Sequence, residues 1–333
     1  MLLACWVIVV APSAMAQEAA AGSCRNGRSA MLSGLDRSHV RGEFRIFYTL
    51  EGRHALADVR DVNRNGIPDK VEDVATQLTV GGRIFSEVMG LIHPLEQPRY
   101  ARATSIDVFL LNMEKGNGLA YDEVMNYRHA NDGSGGRCAL RIDLKNSHSN
   151  QNVTPIHELF HQYQYGYSMF KARWFLEGTA RWAEYALRAG SGPQRPLPTT
   201  LPALQEQVFS RTYASSTVWN RLGKILDPVG RLQLPADLAR STYVDGSLVI
   251  HDDLLHGAGF IKTLFEMLGQ LSHQVAERNA WRYYDWKEED QRSAVHDVEM
   301  FRTVLQSVHR QARKERISTP ELERFLALQV DLK

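Results

Sequence analysis

His157, Glu158 and His161 stand in the pattern H-E-x-x-H. On an α-helix, residues four apart lie on one face, one turn above the other, so two imidazoles there can share a single zinc ion. Glu158 is rotated by about 100° from His157 and can reach a water beside the ion instead of the ion itself. The chemistry would be metal-assisted hydrolysis, in which the metal activates a water and the carboxylate handles its proton. A helix is written into the neighbours. Thr154 can cap the first amides, Pro155 suits the first helical position, and Ile156, Leu159, Phe160, Tyr163 and Tyr167 recur at spacings of three and four. The same five letters also describe a helix with two surface histidines and an ordinary glutamate.

A catalytic zinc takes three protein ligands and keeps one position open. The stretch W-F-L-E-G-T-A-R-W supplies a candidate, because Glu177 is acidic in an otherwise apolar run. A carboxylate there is costly unless it is paired or metal-bound. Gly178, next to it, would let another helix come close. Spacing alone leaves Glu184 open as the third ligand.

With both motifs present, the chain resembles the gluzincin metallopeptidases, in which two His of H-E-x-x-H and a downstream Glu bind zinc. It is similar to secreted bacterial members with an E-G-x-A second motif, as in collagenase-type enzymes. The resemblance implies Zn²⁺ held by His157, His161 and Glu177, with Glu177 preferred over Glu184 and Glu158 as general base and acid. It implies a zincin-like fold, a protein or peptide substrate, and a sheet edge beside the zinc helix on which substrate pairs. The strand directly before that helix, 138–144, is placed in that role. It also implies a donor to the oxyanion from the helical half, for which Tyr213 is the first choice and Tyr243 the second.

A second motif precedes the first. Asp61, Asn63, Asn65, Asp69 and Glu72, with the carbonyl of Ile67, fit the twelve-residue spacing D-x-[DN]-x-[DN]-G-x5-E of a calcium loop. Pro68 departs from the usual aliphatic residue, and no clear helix leads in. N-G-I-P-D resembles calcium-type loops of extracellular proteins, and the ion, Ca²⁺, would be structural. The plainer alternative is an Asn/Gly/Pro turn that starts the next helix.

These groups need elements to hold them. Alternation predicts strands at 43–50, 105–112 and 138–144. Apolar spacing predicts a helix at 71–89, weakened at Gly81-Gly82. Residues 17–40 read as loosely ordered, and 115–136, rich in Gly, Asn and Asp, as a long loop. A second helix covers 173–188, four prolines in 190–202 mark a linker, and 213–226, 259–271 and 293–313 read as helical, with a last short helix from Thr319. The fold class is α+β: a small sheet and helix before the H-E-x-x-H helix within 41–189, and a mostly helical part, 203–333, after it.

The chain has 333 residues, 44% hydrophobic and 23% charged, with net charge +1. That is enough for one large domain or two packed subdomains, and nothing suggests nucleic acid as a partner or a polybasic membrane anchor. Residues 1–16 read as a signal peptide cut after Ala16, although no Lys or Arg precedes the apolar run. No later stretch approaches ~20 apolar residues, so no membrane span is expected. Cys5 leaves with the signal peptide. Cys24 and Cys138 remain as an even pair that suggests a disulfide in a periplasmic or secreted protein. The leading function is a zinc peptidase. The alternative from another class is an extracytoplasmic calcium-binding protein of the same fold without catalysis. Against it, neither Glu158 nor any candidate zinc ligand is missing.

Overall fold

The sheet owes its middle to runs that are apolar on both faces. β3 (Phe44–Tyr48) and β4 (Ser105–Leu111) are buried at every residue, as strands covered on two sides must be. A computed structural model describes this protein over residues 24–27, 32–126, 137–149 and 152–328. The expected signal peptide lies outside these residues. The remaining strands are β1 (Arg25–Asn26), β2 (Arg37–Arg41), β5 (Gly118–Asn126) and β6 (Cys138–Lys145), in the sheet order β1-β5-β6-β4-β3-β2. β4 runs parallel to β3 and β6, whereas β2 and β5 are antiparallel to their inner neighbours. The buried charges of β3 and β4 are neutralised across the register, where Arg45 forks onto Asp107 at 2.7 and 2.8 Å.

Two expectations change here. Residues 115–136 contain a nine-residue strand, β5, and β6 is interior, between β4 and β5. The strand beside the H-E-x-x-H helix with an open side is therefore β5 and not 138–144. β1 pairs only with Met125 and Asn126, so among the described residues no strand pairs with the outer side of Gly118–Tyr121. Likewise 17–40 is not wholly loose. β2 lies within it, and Leu32 and Leu35 close a small apolar cluster with Phe47, Phe109 and Leu111 on one face of the sheet.

On the other face lie α1 (Asp69–Arg83) and α2 (Thr154–Tyr167), sharing one core with the sheet through Ile46, Leu78, Val108, Ile142, Ile156 and Leu159. The Gly81-Gly82 pair has a packing reason. A Cβ at Gly81 would stand 2.9 Å from Ile156 Cγ1, and the Gly82 carbonyl accepts a hydrogen bond from the Tyr163 hydroxyl at 3.1 Å. Gln162, on the sheet side of α2, donates to the carbonyls of Tyr121 and Arg141 at 2.9 and 3.1 Å. Tyr121 borders the β-bulge of β5, so a helix side chain satisfies carbonyls beside the break in the ladder. The start of α2 also differs in detail. Thr154 is the first helical residue and caps nothing; instead Asn152 Oδ1 accepts from the Thr154 amide at 2.8 Å and hydroxyl at 2.6 Å.

Beyond the sheet, α3 (Arg173–Ala183), α4 (Ser216–Leu226), α5 (Ala258–Arg278), α6 (Asp297–Glu315) and α7 (Pro320–Leu326) continue the same core. Trp174 on α3 joins them, stacked on Trp219 of α4 and donating to Asp297 of α6 at 2.7 Å. The class is α+β, as expected. Among the described residues no helix is long and apolar enough to cross a membrane. Cys24 and Cys138 are joined by a disulfide, with Cα atoms 6.0 Å apart. That is the bond of an oxidising, extracytoplasmic compartment.

Candidate metal centre

α2 and α3 meet where their motifs lie. Gly178 lets α4 and the turn before it close on α3: a Cβ there would fall 2.3 Å from the Ser215 hydroxyl and 2.6 Å from Trp219 Nε1. Glu177, beside it, faces α2. Its Oε2 lies 3.3 Å from His157 Nε2 and 3.7 Å from His161 Nε2. One ligand atom from each of these three residues lies within 4.8 Å of the others, close enough to share one ion.

The imidazoles are held from behind. His157 Nδ1 is 3.0 Å from Glu184 Oε1, and a carboxylate can only accept, so Nδ1 carries a proton and Nε2 is the nitrogen left to face Glu177. His161 Nδ1 is 2.6 Å from Gln164 Oε1. The Gln164 amide group is oriented by its own bonds, donating to the Leu176 carbonyl at 2.9 Å and the Thr179 hydroxyl at 2.6 Å. Its oxygen must therefore face His161 Nδ1, which again leaves Nε2 free of that bond. Both Nε2 atoms are turned towards Glu177. Glu184, which spacing left open as a ligand, sits on the far side of His157 from Glu177, with Arg181 and Arg188 each 3.1 Å from its Oε2.

In the metal-free chain the three groups pair electrostatically. Burial opposes a charge on His157, but hydrogen bonds to Glu177 and Glu184 outweigh it and push the imidazole up to about 9. Burial also opposes charge on Glu177, and the two histidines hold it far below the usual carboxylate range. Glu158 is buried beside them. Burial pushes its carboxyl up, against the pull of His161, His157 and a backbone hydrogen bond from Ala120. That last contact places Glu158 against β5. Gly118 makes room for it, since a Cβ there would meet Glu158 Cγ and Oε1 and Thr154 Cγ2, each at 2.6 Å.

Of the two tyrosines, Tyr213 belongs to the site. Its ring lies 5.8 Å from that of His157. Burial, then the charges of Glu177 and Glu158, push its hydroxyl up to about 12. Tyr243 does not belong: it is bound by Gln77 of α1 at 2.8 Å. Three residues of the site were not singled out from sequence. Gln164 is one. Tyr165 stacks on His161 with ring centres 5.8 Å apart. Asp122 of β5 is gripped by Arg99 and, at 2.9 Å, by Lys171, which ties the open strand to the loop between α2 and α3.

The loop from Asp61 to Glu72 is built differently. Asp61 accepts from the amides of Asn65 at 3.1 Å and Gly66 at 2.7 Å. Asn63 and Asn65 donate to the two oxygens of Glu72 at 2.9 and 2.8 Å, and Asn65 Oδ1 accepts from the Ile67 amide at 2.9 Å. Asp69 begins α1, buried, and accepts from the Val62 amide at 2.9 Å. Asp61, Asn63, Asn65 and Glu72 thus converge, but through the loop's own hydrogen bonds. Among the described residues, only His157, His161 and Glu177 form a group of three or more His, Cys, Asp or Glu side chains able to hold one ion.

Comparison of the chain with protein-family models, with curated proteins and with solved structures finds no match.

Proposed function

We propose that this chain is an exported zinc peptidase of zincin-like fold, with His157, His161 and Glu177 as zinc ligands and Glu158 as general base and acid. One observation carries the reading: Glu184 and Gln164 fix both Nδ1 atoms, so that both Nε2 atoms face one carboxylate. Two imidazole nitrogens and a carboxylate oxygen are the donor set of a catalytic zinc, and imidazoles held from behind are what keeps such ligands in place. When bound, zinc would supply Lewis-acid polarisation of a carbonyl and a water acidified to near neutrality.

The protein's own groups do the rest. Glu158 takes a proton during attack on the peptide carbonyl and hands it to the departing nitrogen, a task suited to a carboxyl whose burial raises it. The open side of β5 from Gly118 to Tyr121 offers backbone amides and carbonyls to an extended peptide. Tyr213 donates to the oxygen on which charge develops, so Tyr213→Phe is expected to cost about 10²–10³ in kcat. Calcium held by Asp61, Asn63, Asn65, the Ile67 carbonyl, Asp69 and Glu72 would have a structural role only.

The test is metal analysis of protein made with export and its disulfide intact, paired with a digest of a peptide library. About one zinc per chain and released peptides are expected. Zinc-loaded protein that cuts no peptide overturns the reading.

A further inference from the structure

A polar pocket of about 370 Å³ adjoins the candidate centre, lined among others by Asn117, Asn152, Thr154, Arg181, Glu184 and Arg188. It is large enough for an amino-acid side chain. Two contacts fix its place. Glu184 forms its wall and also bonds His157. Thr154, on its rim, touches the same Gly118 of β5 that faces Glu158. A peptide lying along the open part of β5 would therefore put a side chain next to its scissile bond into this pocket.

The lining is electrically unbalanced, with two guanidiniums against one carboxylate. That carboxylate is moreover shared with His157. Arg181 and Arg188 stand 3.1 Å from Glu184 Oε2, yet this buried oxygen has no hydrogen-bond partner. The guanidiniums are near Glu184 without aiming N–H groups at Oε2, so donors remain for a second acceptor. Arg181 gives Glu184 one bond, to Oε1 at 3.2 Å. Both arginines are partly exposed, with side chains 43% and 37% accessible, so an incoming group can reach them. Asn152 adds a donor: its oxygen is committed to Thr154, which leaves its NH₂ group.

From this we infer that the pocket is a carboxylate-binding subsite, and that the peptidase proposed above prefers substrates with an acidic group beside the cleaved bond. The inference rests on that reading. An Asp or Glu side chain and the α-carboxylate of a chain terminus present the same chemistry. Either would take two planar, bidentate partners in a half-desolvated pocket, where charge-assisted bonds are strongest.

The experiment uses zinc-loaded, full-length protein. Matched peptides carry Glu, Asp, Gln or Lys at each position flanking the cleaved bond, each with free and amidated C-termini. At one position Glu or Asp is expected to raise kcat/KM over Gln by about tenfold or more, and over Lys by more still. If only free C-termini give the gain, the ligand is the terminal carboxylate. Arg188→Gln should shrink the Glu/Gln ratio, and Arg188→Glu should turn the preference towards Lys. The ratio is the readout because it is unaffected by any general loss through Glu184 and His157, and zinc content is measured alongside. Cleavage indifferent to charge, or a ratio unchanged in both Arg188 variants, overturns the inference and leaves the peptidase reading standing. No cleavage of any peptide overturns both.

Discussion

Two regions of this molecule carry motifs of metal chemistry, and they are held together by opposite means. At the α2–α3 junction the two histidines are buried and Glu177 half-buried, all aimed at one another, while the groups that orient them stand outside the cluster. In the Asp61–Glu72 loop the candidate side-chain ligands other than buried Asp69 are exposed or half-exposed, and all are satisfied by the loop's own hydrogen bonds. Burying two imidazoles and two carboxylates within reach of each other is costly unless something offsets it. A turn made of Asn, Asp and Gly costs little and forms in many loops. At the first arrangement the proposed ion would offset that cost, whereas the second is satisfied by its own hydrogen bonds.

The largest effect expected is from Glu158→Gln. It keeps the size and cannot take up a proton, so kcat should fall by about 10²–10⁴ with zinc content near one per chain. Turnover at the parent rate would sink the mechanism. His157→Ala and Glu177→Ala should lose zinc and activity together, because each removes one of three ligands. Glu184→Gln keeps an acceptor for His157 but weakens it, and should lower zinc affinity by about 10–100-fold without abolishing binding. If Glu184→Gln empties the site and Glu177→Ala does not, the ligands are reversed. Both are read by competition with a chelator of known affinity.

Gly118→Ala comes next. The new methyl would have to displace Glu158 or Thr154, a strain of about 1–3 kcal/mol in a packed site. Displacing the carboxylate should reduce kcat about tenfold or more while zinc remains bound. Unchanged kcat would mean that β5 does not press on Glu158.

The smallest effect belongs to the loop. Calcium that binds only the folded chain stabilises it by about 2.7 kcal/mol at a hundred times its Kd, a shift of several degrees in Tm. The comparison is melting with calcium and with EGTA, zinc kept saturated, for the parent and for Asp61→Ala. A parent that melts at the same temperature in both would leave the loop as a turn and sharpen the contrast with the buried site.

Much of this was legible in the sequence. β3, β4 and β6 alternate or run apolar, the helices carry apolar stripes, and the cysteine count pointed to the disulfide that joins Cys24 to Cys138. β5 was not legible, because an edge strand buries little. Its sequence GLAYDEVMN carries exposed Leu119 and two acids, and it reads like the Gly- and Asn-rich loop around it. The roles of Glu184 and Gln164 were hidden for another reason. A polar residue on a helix has the same letter whether it faces water or a histidine, and only the packing of α3 on α2 decides. The same packing separates Tyr213 from Tyr243, which the sequence could rank only by resemblance.

An unpaired strand edge is also a template on which a second chain can polymerise. β1, fastened by the Cys24–Cys138 bond, covers the far end of β5, and the bulge after Tyr121 breaks the ladder before it. What remains open among the described residues, Gly118–Tyr121, spans four residues, roughly 13 Å of strand. That is long enough to grip a short extended segment and too short to nucleate a stacked sheet, so the crosslink acts as a stop on self-assembly as well as a staple of the fold.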